Sequence, residues 1–242
     1  MWPDSDTTRR RTLRLGGIAA AGGLAGCTGL LDGSTGGEQP TDEPETDEPE
    51  TGEPETDEPP TEFTDDFGGR SLSAYRTVAG DRDQWDIEAR IDGPSAHATA
   101  SGSYANTLLA PQADQFRWTG TGQITLDVWA RENNYNRNAL VEFGDPDGDA
   151  WRVKVAFTGR KIKIRSPSEQ VESVRATPEP GAAHQLDVSV TPDAVTVSLD
   201  GEQRAEFPDP PSLPAGTVAF GIGSNESKGG QTWFDDLRFR AE

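Results

Sequence analysis

The sequence predicts an all-β domain, a two-sheet antiparallel β-sandwich, behind an N-terminal region that has no core of its own. Three observations predict it. From Phe63 onward, apolar and polar residues alternate with period two in one segment after another. Asp-Gly pairs fall between such segments, where hairpins need them. No run of ten or more residues in this part has a helical period. About 180 residues are enough for one hydrophobic core. Roughly a dozen strands at that length close most naturally as two packed sheets.

The strands follow in order. Ile124, Leu126, Val128 and Ala130 take one face, and Thr125, Asp127, Trp129 and Arg131 the other. A strand around 139–144 turns through Asp147-Gly148 into one at 150–157. There Val153, Val155 and Phe157 alternate with Arg152, Lys154 and Ala156. Ile162 and Ile164 alternate with Lys161, Lys163 and Arg165. Leu186, Val188 and Val190 alternate with Asp187 and Ser189. Val195, Val197 and Leu199 alternate with Thr196 and Ser198, and Asp200-Gly201 then turns the chain into 203–207. Val218, Phe220 and Ile222 mark another strand, and Trp233 to Arg240 the last.

Residues 1–27 read as an export-and-anchor signal. A basic head, Arg9-Arg10-Arg11-Thr12-Leu13-Arg14, precedes a weakly apolar run from Leu15 to Leu24 that is too short to span a bilayer. The paired arginines resemble a twin-arginine signal. Leu24-Ala25-Gly26-Cys27 resembles a prokaryotic lipoprotein box, which implies a lipid on Cys27 and an anchor at the outer face of the cell membrane. Residues 28–62 form the expected stalk. A Gly/Ser/Thr-rich start leads into four five-residue units rich in Thr, Glu and Pro, beginning at Thr41, Thr46, Thr51 and Thr56. Proline blocks helix there, and like charges keep the chain extended and disordered. Residues 63–242 form the sandwich.

The formal charge is −20, with 42 acidic and 22 basic residues. This balance disfavours nucleic acid as a partner. The acid-rich, lysine-poor composition resembles proteins of extreme halophiles and implies a haloarchaeal source. Cys27 is the only cysteine, so no disulfide forms within the chain.

Three pieces carry a family resemblance. The domain opens with Phe63-Thr64-Asp65-Asp66-Phe67. His184-Gln185-Leu186-Asp187-Val188 leads to Val195-Thr196-Val197-Ser198-Leu199-Asp200-Gly201. Gly216-Thr217-Val218-Ala219-Phe220-Gly221 then precedes Thr232-Trp233-Phe234-Asp235-Asp236-Leu237-Arg238-Phe239. In this order they resemble the concanavalin A-like lectin/glucanase superfamily, laminin G-like modules included. The resemblance implies a jelly roll with a concave front. Its members bind or cleave carbohydrate, or bind protein.

Candidate ligand-binding residues follow from charge and shape. Arg152, Lys154, Lys161 and Lys163 lie on the outward sides of two strands, and three of the chain's four lysines are among them. Trp129 and Arg131 are expected on the same front. An indole stacks on a sugar ring while cations pair with its carboxylate or sulfate. Tyr135, in the loop Asn133–Asn138, adds a second aromatic among amides suited to hydroxyl pairs. Asn225-Glu226-Ser227 is a glycosylation sequon.

The resemblance also implies a structural Ca²⁺. Asp235 is expected on the apolar side of the last strand with Trp233, Leu237 and Phe239, where an unpaired charge is costly. Asp66 or Asp65 from the opening segment would supply further oxygens. Asp145–Asp149 lacks the spacing of an EF-hand loop. The Glu-x-Asp-x-x-Glu strand of retaining glucanases is absent, and no nucleophile or metal-hydrolase motif replaces it. The expectation is a lipid-anchored surface protein with a non-catalytic carbohydrate-binding or surface-interaction sandwich, suited to acidic glycans. A hydrolase or lyase acting on polysaccharide, and a protein-interaction module without a sugar site, are the alternatives.

Overall fold

The computed structural model describes residues 58–69, 71–100, 106–132, 138–145, 148–223 and 229–242. The chain divides into two units, Met1–Glu53 and Pro54–Glu242, and the second carries the fold described here. Cys27, the signal, the stalk up to residue 57, Tyr135 and the Asn225 sequon lie outside the described residues. Among the described residues, no helix is long and apolar enough to cross a membrane.

The expected sandwich is present, with fifteen strands and one 3-10 turn at Arg82–Gln84 among the described residues. The strands are β1 (Glu62–Asp65), β2 (Tyr75–Ala79), β3 (Trp85–Ala89), β4 (Pro94–Ala100), β5 (Asn106–Pro111), β6 (Gly122–Ala130), β7 (Asn138–Gly144) and β8 (Ala150–Ala156). There follow β9 (Lys161–Arg165), β10 (Val171–Arg175), β11 (Ala183–Val190), β12 (Ala194–Leu199), β13 (Glu202–Pro208), β14 (Thr217–Gly223) and β15 (Gly230–Ala241). All pairings are antiparallel. One sheet runs β13-β12-β11-β6-β15-β4-β3, with β1 also on β15, and the other runs β10-β9-β8-β7-β14-β5-β2.

The alternation decides what each strand buries. Inward residues of both sheets, such as Ile124, Leu126 and Val128 of β6 and Val153 and Val155 of β8, form a single core around Trp118, Trp151 and Phe220. Each such side chain contributes about 1.5–3 kcal/mol on leaving water. The Trp151 indole also donates to the Ser212 carbonyl at 2.8 Å, so its polar end is satisfied. The hairpin at Asp200-Gly201 has both residues at positive φ (55° and 78°), the pair that a tight two-residue turn requires.

β15 departs from strict alternation. Its pairing with β6 shifts register between Asp235 and Arg238, and Asp236 sits at φ 47°. This β-bulge inserts one residue. Trp233 and Asp235 therefore point outward, while Leu237 and Phe239 point into the core. Asp235 is thus not on the apolar side, because before the bulge Phe234 faces the core and only after it do Leu237 and Phe239.

Candidate functional site

The outer face of the β10-to-β2 sheet is organised in cross-strand rows set by register. One row holds Asn106, Asn138, Ala156, Lys161 and Arg175, with Gly223 between the two asparagines. The next holds Leu108, Gly221, Leu140, Lys154, Lys163 and Ser173. The third holds Ala219, Glu142, Arg152, Arg165 and Val171. Two halves result. On β5, β14 and β7 the floor is small or apolar, with Leu108, Ala110, Leu140 and Ala219 packed together. On β8, β9 and β10 it is cationic.

Between the halves lies a depression of about 290 Å³, lined by Asn106, Leu140, Arg152, Lys154, Lys163, Arg165, Glu169 and Val171. Two of its cations are neutralised. Arg152 Nε donates to Glu142 Oε1 at 2.5 Å, and Arg165 pairs with Glu169 four residues on. Asn106 Nδ2 also donates to Glu142 Oε1, at 3.2 Å. Among the described residues, Lys154, Lys161, Lys163 and Arg175 have no carboxylate within ion-pair reach.

Lys154 is the centre of this face. It is half-buried, and its ammonium is held below the usual lysine range, first by burial and then by Lys163, Lys161 and Arg152. A Cβ added at Gly223 would sit 3.2 Å from Asn106 Oδ1, 3.4 Å from Asn138 Oδ1 and 3.5 Å from Lys154 Nζ. Glycine therefore leaves the floor open under a polar rim of one ammonium and two amides. Asn138 fixes that rim by bonding both the N–H and the carbonyl of Gly223, each at 2.8 Å.

Arg152, Lys154, Lys161 and Lys163 are thus brought together as expected, but Trp129 and Arg131 are not with them. Those two sit at the end of β6, on the outer face of the other sheet. The two groups share an outward alternation but belong to opposite layers, a relation that alternation within single strands does not fix. Trp129 is also engaged. The Arg90 guanidinium lies 3.9 Å over its ring, and Trp233 packs edge-on at 4.9 Å. Arg131 donates to Gln231 Oε1 at 3.0 Å. His97 stacks on Trp233 at 4.2 Å and contacts Asp86 Oδ1 at 3.0 Å and Glu88 Oε1 at 3.3 Å through Nδ1. This is a second, smaller cluster on the outside of the sandwich. On the basic face Glu142 neutralises Arg152, while Asp127 and Asp187 belong to β6 and β11 on the opposite sheet.

Asp66 and Asp235, the two residues expected to hold calcium, each have local hydrogen-bond partners. Asp66 is exposed, and its Oδ1 accepts the Gly68 N–H at 2.9 Å. Asp235 is buried beside Asp127 on the outer face, accepting from Ser95 Oγ at 3.2 Å and from the Asp236 N–H at 2.9 Å. Among the described residues, one group of three acidic or histidine donors lies close enough for a metal ion: Asp86, Glu88 and His97, with ligand atoms within 4.8 Å of one another. His97 Nε2 is buried without a partner. A metal on Nδ1 would place a proton on Nε2 with no acceptor, contrary to the usual support of a metal-bound imidazole. An Nδ1–H shared by the two carboxylates accounts for both contacts.

No family model matches the chain, and no curated protein matches it. Solved structures do. A carbohydrate-binding module, CBM66 from Bacillus subtilis, aligns at 12% identity over 70% of this chain and 97% of that one, with a TM-score of 0.52. A family 16 endo-glucanase from Bacteroides ovatus aligns at 11% identity over 72% and 98%, with a TM-score of 0.57. The Bacillus licheniformis β-glucanase aligns at 10% identity over 76% and 99%, with a TM-score of 0.57. The sandwich is therefore a jelly roll of the kind these proteins share. At such identities the likeness carries the fold and no site residue.

Sequence reasoning missed Asn106, Glu169 and Arg175 as parts of the site, and it assigned Asn138 to a separate loop. Arg175 was within reach, since Val171, Ser173 and Arg175 repeat at i, i+2 beyond the basic strand. The asparagines were not, because only the pairing of β5, β14 and β7 makes them neighbours.

Proposed function

We propose that the chain is a lipid-anchored surface protein, held through Cys27, whose sandwich binds an acidic glycan without cleaving it on the outer face of β8, β9 and β10. One observation carries this reading. Arg152 stands directly opposite Arg165, Lys154 opposite Lys163, and Lys161 opposite Arg175. Each like-charge pair opposes the sheet that holds it, by a few tenths to about 1 kcal/mol. Acids outnumber bases 42 to 22 in this chain, so relief was readily at hand in composition. Arg152 and Arg165 are relieved by Glu142 and Glu169, whereas the pairs Lys154–Lys163 and Lys161–Arg175 have no acid within reach among the described residues, and an anionic guest would complete them.

Two further points support the reading. The described carboxylates beside the depression, Glu142 and Glu169, are both tied to guanidiniums. Glycoside hydrolysis needs one carboxyl as acid and another as base or nucleophile. The neighbours in fold include a protein named as a carbohydrate-binding module and others named as glucanases.

Charge reversal tests the proposal. The wild-type chain is expected to be retained on an acidic-glycan column, and a Lys161→Glu/Lys163→Glu double variant to run through. Equal retention of both would remove the basic face from the function. Incubation with the same glycans is expected to release neither reducing ends nor unsaturated products, and turnover would favour an enzyme. A blank glycan series with one protein captured from envelope extracts would favour a protein-interaction module.

A further inference from the structure

The cationic band continues past the first depression. A second one, of about 380 Å³, lies at the β8–β9 turn and is lined by Thr158, Gly159, Arg160, Lys161, Ser173, Val174 and Arg175. The two depressions share β9 and β10: Lys163, Arg165 and Val171 line the first, and Lys161, Ser173 and Arg175 the second. Lys161 and Lys163 are two residues apart on one strand face, hence about 7 Å apart along it. Together the depressions hold Arg152, Lys154, Lys163 and Arg165 in one and Arg160, Lys161 and Arg175 in the other.

Their charge is graded. The row at the far end of the first depression, Arg152 and Arg165, is neutralised by Glu142 and Glu169. The middle row, Lys154 and Lys163, and the row reaching into the second depression, Lys161 and Arg175, have no acid within reach among the described residues. The uncompensated charge therefore straddles the boundary between the depressions. One small anion fits one row. Two rows in register along the strands fit an anion that repeats.

Resting on the acidic-glycan reading, we propose that this face recognises consecutive charged units of a linear polyanion, with the Lys154–Lys163 depression as one subsite and the Arg160–Lys161–Arg175 depression as the next. Carboxylate and sulfate groups share the chemistry that the ammonium and guanidinium groups select. A uronic-acid oligomer and a sulfated oligosaccharide are therefore separate arms of the test.

Calorimetric titration of the full-length chain with size-graded sugars of each kind, from one residue to ten, measures the length dependence. Affinity is expected to rise with length until both subsites are filled, and then to level. Arg175→Glu and the milder Lys161→Gln are expected to lower the affinity of the oligomers by about tenfold and that of a single residue by much less. Lys163→Glu is expected to weaken every length. Circular dichroism of each variant, matching the wild type, shows that the sheet is intact. A single charged sugar residue that binds the wild type as tightly as a decamer overturns the two-subsite proposal and leaves the acidic-glycan reading standing. Failure of every uronate and sulfate oligomer to bind the wild type overturns both.

Discussion

A single buried carboxylate ties the opposite sheet to pH. Asp235 faces Asp127 across β15 and β6, and burial pushes its carboxyl up to about 6 from an ordinary value of 3.8. The Asp236 N–H and Ser95 hydroxyl oppose that rise, and the neighbouring charges of Asp236 and Asp127 add to it. Because the folded value lies above the unfolded one, protonation favours the native state. The contribution is complete below about pH 3.8 and is lost as pH climbs through about 6. Asp235→Asn removes the charge and keeps an oxygen for one of the two donors. It is expected to raise the midpoint of thermal unfolding at pH 7.5, with a gain of about 1–2 kcal/mol after allowance for screening. The gain should fade toward pH 4. A difference that does not change between pH 4 and pH 7.5 would show that the Asp235 charge is not the cause.

At the scale of strands, β8, β9 and β10 trade stability for charge. Lys154 carries both costs, a partly desolvated ammonium and a like charge directly opposite it. Lys154→Met keeps the aliphatic stem and removes both costs. Thermal unfolding at low salt is expected to show a gain of about 0.5–1 kcal/mol, and retention on an acidic-glycan column is expected to fall. A variant that loses stability and keeps its retention would mean that Lys154 is a packing residue.

The same strands show where a sequence speaks and where it is silent. β6, β8, β9, β11 and β12 were legible because large apolar residues alternate with polar ones. β4 was not, since Pro94-Ser95-Ala96-His97-Ala98-Thr99-Ala100 offers small side chains with little contrast. The β15 bulge was hidden because Asp235-Asp236 reads as ordinary alternation until Asp236 takes a positive φ. The cations of β8 and β9 were placed together correctly because a short hairpin joins their strands. Trp129 was misplaced because β6 and β7, adjacent in sequence, belong to different sheets. That crossing is a property of the whole topology and leaves no mark on either strand.

Across the molecule, salt should act with opposite signs on stability and on binding. The chain carries −20 overall, yet Arg152, Lys154, Arg160, Lys161, Lys163, Arg165 and Arg175 gather at two neighbouring depressions. Between about 0.1 M and 1 M salt the screening length falls from about 10 Å to about 3 Å. Repulsion among the acids then weakens, and so does repulsion among the cations facing one another on β8, β9 and β10. Both changes favour the folded state, so thermal unfolding is expected to move to higher temperature as sodium chloride is raised. Attraction between the cationic band and a polyanion is screened by the same ions, so retention on the glycan column is expected to fall. Lys154→Met separates the two effects. Its stability advantage over the wild type should shrink at 1 M salt, because the repulsion it relieves is already screened. A stability advantage that persists at 1 M would assign the gain to burial of the methionine, and binding that does not change with salt would show that charge is not what holds the guest.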